Sequence, residues 1–431
     1  MKLNVKRTVL IGLGFLTIMM LWQVYNWMVP LFLEDFLNDI TSGNQLYIGI
    51  IMALDNLFAL FMIPLMSNLS DKTKSKLGRR MPFITVGIIL SAIAFLFLPF
   101  TRSSGSIWLL LGNILLVLIF MNIYRSPCVA FMPDITPKPL RSKANSIINI
   151  MGGVGFGIGY LSVLFFSKTE IVPFIIVAVM MLVCLAIMLL KVRENKFVLD
   201  YKDQLAQNGI KEEDDKKEDE VKGKRSKTNL GNVWLALLVV FCSYMANNAV
   251  ETFMSLYSRN VFGEVAGIPF GMDAGALAMI PFGVSTFIFA LPAAVLANKI
   301  GRSKTVLVGA FSMIVSFIGI SLFGSFSYVL LVFFLTAGAG FALITINIYP
   351  MVVENCSAQD TGKFTGFYYT ASMLAQSLTP ALCGLFIGNV FDSYKVLFPY
   401  AAIFMILVIV VLLFIRREER KENKQTLDKE V

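Results

Sequence analysis

Residues 171–190 read IVPFIIVAVMMLVCLAIMLL, twenty residues without a charge, bounded by Glu170 and Lys191. About 20 helical residues cross a hydrocarbon core roughly 30 Å thick, so this stretch has the length and composition of a membrane span. Eleven more windows of the same kind surround it. Before it lie Val9 to Leu33, Leu46 to Leu69, Met81 to Thr101, Ile107 to Met132 and Ala144 to Ser167. After it come Asn232 to Tyr257, Ala274 to Asn298, Thr305 to Phe323, Ser327 to Val353, Phe364 to Phe386 and Val396 to Ile415. Residues 305–353 form one uncharged run of 49 residues, which Gly324, Ser325 and Ser327 divide as a turn between two helices. The first window is too long for a signal peptide, and no small-residue cleavage pattern precedes the second. Hydrophobic residues make up 57% of the 431 and mean hydropathy is +0.73, so lipid is the expected solvent.

Positive charge falls on alternate loops. Lys2, Lys6 and Arg7 precede the first window, and Lys72, Lys74, Lys76, Arg79 and Arg80 follow the second. Lys138, Arg141 and Lys143, then Lys299, Arg302 and Lys304, then Arg416 and Arg417 continue the series. The intervening loops hold few cations, chiefly Arg102, Lys168, Arg259 and Lys395, and the first carries Glu34, Asp35 and Asp39. By the positive-inside rule both termini are cytoplasmic and the protein is expected in the cell membrane. The net charge of +9 is what such a topology produces on an anionic membrane surface, and nothing in it requires nucleic acid.

Residues 191–230 break the apolar pattern with a mixed charge run, Lys211 through Glu220 at its centre. Few apolar residues are available to offset the entropy of ordering, so local disorder or a loose surface helix is expected there, and likewise for Glu418 to Val431. The resulting organisation is a first half 1–190, a cytoplasmic linker 191–230, a second half 231–415 and a tail 416–431. Histidine is absent, which removes histidine-based zinc chemistry, serine-histidine hydrolysis and histidine proton relay. Cys128, Cys184, Cys242, Cys356 and Cys383 are scattered, with neither disulfide nor metal spacing. No catalytic constellation is visible, so the chain is not expected to be an enzyme and needs no cofactor or metal.

The halves repeat. Asn122-Ile123-Tyr124 recurs as Asn347-Ile348-Tyr349 at an offset of 225, and Gly78-Arg79 recurs as Gly301-Arg302 at an offset of 223. Two parallel six-helix units with a cavity between them are what alternating access needs. The loop Asn68-Leu69-Ser70-Asp71-Lys72-Thr73-Lys74-Ser75-Lys76-Leu77-Gly78-Arg79-Arg80-Met81-Pro82-Phe83 resembles the loop between helices two and three of major facilitator transporters. Tyr124-Arg125-Ser126-Pro127, Met132-Pro133-Asp134 and Leu140-Arg141-Ser142-Lys143-Ala144-Asn145 are similar to the sucrose/maltose proton symporters, relatives of the glycoside-pentoside-hexuronide cation symporters. The resemblance covers residues 8–415 and implies an all-α membrane protein with the major facilitator fold of twelve transmembrane helices. It also implies a gating role for the loop, so Asp71, Gly78, Arg79, Arg80, Asp134 and Arg141 are the gating candidates. The same charges could serve orientation alone.

Charges within spans are the sharper signal. Asp55, Arg125 and Glu251 lie well inside, where ionised side chains are expensive and face a cavity or one another. Burial favours the neutral form of a carboxylate, so Asp55 and then Glu251 are the candidates for proton coupling; a structural ion pair, for instance Asp55 with Arg125, is the alternative. Gln23, Asn26 and Trp27 sit three or four positions apart, presenting two amides and an indole on one face. Sugar hydroxyls need donors and acceptors, and sugar ring faces pack on aromatics. Asn56, Asn122, Arg125, Asn248, Tyr368 and Gln376 complete the substrate-binding candidates, with Tyr124, Tyr244, Asn247 and Tyr369 as further lining; helix packing is the competing explanation for each. Gly152, Gly153, Gly155, Gly157 and Gly159 lack the Gly-Lys-Ser/Thr ending of a phosphate loop and point to close helix packing.

Melibiose-type sodium symporters carry acids one and five positions before a proline on the second helix. Here Pro64 is preceded at those positions by Ile63 and Ala59, a departure that favours a proton over sodium. The expected function is therefore symport of a neutral sugar such as maltose or sucrose with protons, by a monomer in a lipid bilayer. A sodium-coupled or uncoupled glycoside carrier and an exporter of another organic solute are the alternatives, with a membrane enzyme or receptor as the different class.

Overall fold

The computed structural model describes residues 3–38, 43–209, 230–263, 265, 268, 272–357 and 360–430, with backbone only from 418 onward. The described residues fold into thirteen long helices. These are α1 (Val5–Leu37), α2 (Gln45–Lys72), α3 (Met81–Ser103), α4 (Ile107–Ile135), α5 (Arg141–Phe166), α6 (Val172–Lys191) and α7 (Glu194–Gln207). They continue with α8 (Leu230–Tyr257), α9 (Ala274–Ile300), α10 (Arg302–Ser321), α11 (Leu330–Glu354), α12 (Thr361–Leu385) and α13 (Leu397–Glu430). All but α7 belong to the twelve segments long and apolar enough to cross a membrane. The 49-residue apolar run divides between α10 and α11, around the Gly324 turn.

The chain forms two compact units. Unit 1 holds Met1–Phe36, Asp55–Asp219 and Phe270–Asp273; unit 2 holds Leu37–Leu54, Glu220–Pro269 and Ala274–Val431. Helix pairing repeats inside each unit: α3 packs on α4 and α6, as α10 packs on α11 and α13. The repeated motifs have repeated geometry. Asn122 and Asn347 are fully buried, and each amide donates to the carbonyl four residues back, Leu118 at 2.8 Å and Leu343 at 2.9 Å. Gly78 and Gly301 both adopt the left-handed backbone, at φ +113° and +90°, that turns the chain into α3 and α10.

The unit boundaries depart from the halves expected from sequence at residues 37–54. The first turns of α2 belong to unit 2, where a Cβ on Gly49 would strike the Pro380 carbonyl of α12 and one on Gly384 would strike the Gln45 carbonyl. Gln45 also donates to the Tyr394 hydroxyl at 3.3 Å. Two glycines thus let α2 and α12 touch backbone to backbone.

The glycines of α5 serve the same purpose in unit 1. A Cβ at Gly155 would collide with the Leu16 carbonyl of α1, one at Gly159 would lie 2.7 Å from the Met20 carbonyl, and one at Gly152 would lie 2.7 Å from the Phe15 ring. Gly157 faces open space. Gly155→Val should therefore cost about 1–3 kcal/mol, because a backbone carbonyl cannot rotate aside as a side chain can. Gly157→Ala should be neutral or slightly stabilising through helix propensity. Thermal unfolding of the two variants in detergent checks the contrast.

A further departure concerns the linker. Its start is not loose: α7 buries Glu194, Tyr201 and Leu205 to 1–2% exposure within unit 1. The three fall on one face at helical spacing, which a reading dominated by the following charge run overlooks. Residues 210–229, the charged centre, lie outside the described residues. Glu34 also differs from the sequence reading. It sits inside α1, 2% exposed, and not in the first loop.

Candidate functional site

The loop between α2 and α3 builds the densest polar cluster of unit 1. Its centre is Arg80, whose guanidinium is 3% exposed and almost fully used. Nε donates to Asp134 at 2.8 Å, Nη2 to Asp71 at 2.5 Å, and Nη1 to the Ser70 hydroxyl and to the Ser67 carbonyl at 3.4 Å. Arg79 reaches Asp134 at 2.6 Å and Asp71 at 4.0 Å. Asp71 and Asp134 sit at helix C-termini, where the helix dipole disfavours a carboxylate, so the two arginines offset an otherwise unfavourable placement. Arg141 finishes the same corner, donating to the Thr136 and Pro133 carbonyls at 3.1 and 3.4 Å where α4 ends. The structure thus gathers the six gating candidates around one loop.

It adds a residue that sequence reasoning missed. Glu194, the first residue of α7, accepts the backbone N–H groups of Arg79 (2.9 Å), Arg80 (3.0 Å) and Met81 (2.9 Å) at the N-terminus of α3. Helix N-termini present unsatisfied N–H donors and positive dipole ends, so a buried carboxylate there is well placed. Gly78 is required twice over: its backbone is left-handed, and any Cβ would occupy the space of the Glu194 carboxylate. Asn195 donates to the Lys76 carbonyl at 3.2 Å. Further along α7, Arg7 of α1 lies 4.4 Å over the Phe197 ring and pairs with Asp200. Its signal in the sequence is weak, since Glu194 stands just after the Lys191-Val192-Arg193 end of the sixth span, where the charged run begins.

Within the spans of unit 1, Arg125 of α4 stacks on the Trp22 ring of α1 at 4.8 Å, and its Nη1 has no hydrogen-bond partner. The guanidinium thus has an aromatic face as a neighbour within the span. Asp55 is 3% exposed. Trp27 meets Tyr160 edge-on at 5.9 Å, with its indole N–H unpartnered. Gln23 is buried, and Asn26 and Asn56 are partly exposed. Asn122 is enclosed and bonded to its own helix, as Asn347 is in the second repeat.

In unit 2, Asn248 is 9% exposed with an unpartnered Oδ1, Glu251 is partly exposed, and Gln376 donates to the Ser372 carbonyl at 3.2 Å. Tyr368 is the hub of an aromatic group: its hydroxyl lies 3.5 Å from that of Tyr244, and its ring meets Tyr349 and Tyr369 edge-on at 5.1 and 5.3 Å. Tyr349 ends the repeated tripeptide, whose place in the sequence signals symmetry and not lining.

Twelve spans in repeated six-helix arrangements, a charged loop cluster and polar groups inside the spans define a multi-pass membrane transporter. The Major Facilitator Superfamily profile matches residues 11–380 and 270–430, and the chain belongs to that superfamily. Solved structures agree on the fold. The nucleoside transporter NupG superposes with a TM-score of 0.67 at 16% identity, covering 96% of this chain and 100% of its own. The POT family transporter PepTSo gives 0.66 at 12% identity, covering 97% and 99%. The human organic anion transporter MFSD10 gives 0.58 at 15% identity, covering 95% and 100%.

Proposed function

We propose that this transporter carries a neutral sugar, a disaccharide such as maltose or sucrose, together with protons by alternating access, and that it is not an enzyme. The carrying observation is Arg125: a guanidinium held mid-span on the Trp22 face with a buried, unspent N–H. A desolvated donor beside an aromatic face suits a ligand that offers hydroxyl or ring oxygens together with an apolar ring face. Gln23, Asn26, Trp27 and Asn56 extend that chemistry in unit 1, and Asn248, Tyr368 and Gln376 extend it in unit 2. The carrier works as a monomer in the cell membrane with both termini cytoplasmic, as the alternation of cationic loops supports.

The second reading is a solute with a planar ring. Four tyrosines meeting at Tyr368 offer ring faces, and one structural neighbour is named a nucleoside transporter. Uptake of maltose, sucrose and uridine into proteoliposomes, with and without an inward proton gradient, separates the two. Uptake of uridine but of neither sugar would reject the first reading. Under the sugar reading, Arg125→Ala should weaken binding at least about tenfold, the loss of one desolvated, charge-assisted contact. Calorimetric titration of folded protein measures it, and unchanged affinity would remove Arg125 from the site.

A further inference from the structure

The internal repeat exposes a difference between the two α3-type turns. In unit 1 the turn that follows Gly78 holds a carboxylate, that of Glu194, on three backbone N–H groups. In unit 2 the equivalent turn follows Gly301, which has the same left-handed backbone, and among the described residues no side chain takes the place of Glu194 there. Space takes the place of the carboxylate. A Cβ on Gly301 would meet nothing within 4 Å, and a cavity of about 260 Å³ opens there.

The lining of that cavity is strongly basic. Arg302, Lys304 and Arg416 face it against one carboxylate, Glu354, which is already paired with Arg302 at 2.6 Å. Among the described residues, Lys304 and Arg416 have no ion-pair partner. Ser303 adds a hydroxyl. The location is equally specific: the spans of α9 and α11 end here at Ile300 and Glu354, that of α10 starts at Arg302, and the last ends at Arg417. The cavity therefore opens at the water boundary of the membrane.

We propose that this cavity binds a phosphate oxyanion presented by the headgroup of an anionic phospholipid. Lys304 and Arg416 supply charge, the α10 N-terminus supplies N–H donors in the geometry that unit 1 already uses for a carboxylate, and the site lies at headgroup level. A sugar in the transport pathway has no part in it, so the assignment stands apart from the substrate reading.

The test is binding of short-chain phosphatidylglycerol to the purified full-length protein in neutral detergent. Phosphatidylcholine and inorganic phosphate are the comparison ligands, and native mass spectrometry gives the readout. Replacing these two cations together, Lys304→Gln with Arg416→Gln, should weaken phosphatidylglycerol binding roughly thirtyfold and leave phosphatidylcholine unchanged. Each single variant should lose part of that effect, and Arg416→Lys should retain most of the affinity. Lys395→Gln, outside the cavity, should change nothing. Unchanged phosphatidylglycerol binding in the double variant overturns the proposal, as does an equal loss for phosphatidylcholine. Inorganic phosphate binding as tightly as the lipid would reassign the cavity to a soluble anion and overturn the lipid assignment.

Discussion

Glu194→Ala is expected to lower the stability of the protein by roughly 3 kcal/mol, far more than its position beside a charged linker suggests. The side chain is 2% exposed and accepts three N–H groups that have no other partner in α3. Removing it leaves those donors buried at the positive end of a helix, next to the Arg80 guanidinium, whose own charge is balanced by Asp71 and Asp134. Glu194→Gln keeps one acceptor oxygen and should recover part of the loss. The comparison that isolates burial is Glu354→Ala, which removes an ion pair to Arg302 whose carboxylate is 55% exposed. Solvent screens that pair, so its loss should cost no more than about 1 kcal/mol. Thermal unfolding of the three variants in one detergent gives the order. If Glu194→Ala unfolds no earlier than Glu354→Ala, the cap does not hold the loop. Should it hold the loop, exchange transport by Glu194→Ala ought to change as well, because the residues it orders are the gating candidates.

What the sequence disclosed follows the range of the interactions. Spans were legible because hydrophobic length is a local property, and only their ends moved, as at Glu34, which α1 absorbs. The cluster of Asp71, Arg79 and Arg80 was legible because its members lie in one short loop, and Asp134 because it lies at a helix end near another cationic loop. Glu194 was not, since it is more than a hundred residues from its partners and opens a charge run whose bulk suggests disorder. The membership of residues 37–54 in unit 2 was also hidden. That contact depends on Gly49 and Gly384, two small residues in different spans, and small residues announce close packing without naming the partner. For Arg125 the sequence supplied an expensive mid-span charge and suggested a carboxylate as its neighbour. The structure sets a tryptophan face against the guanidinium, a favourable contact that needs no second buried ion.

The cost of a buried charge bears on Asp55 as well. A charged side chain at a 3% exposed position within a span is expensive, so Asp55 is the first candidate for a proton-carrying group. Under the proposed proton-sugar symport, gaining a proton from one side and losing it to the other would be the step at Asp55 that ties the proton gradient to the solute. Asn keeps the shape of a protonated carboxyl and removes the titration. Asp55→Asn should therefore leave sugar exchange and downhill flux measurable while abolishing uphill accumulation. A one-proton symporter driven by about 100 mV can sustain roughly fiftyfold accumulation, since that potential is worth about 2.3 kcal/mol per charge, so the expected fall to equal concentrations is large. Proteoliposomes with an imposed proton-motive force and labelled sugar give the ratio directly. If the variant still concentrates sugar, Asp55 is not the coupling group and Glu251→Gln becomes the decisive variant. If that protein also accumulates sugar, neither acid couples, and the dependence of uptake on a sodium gradient is the measurement that decides between a sodium-driven carrier and one driven by protons through another group.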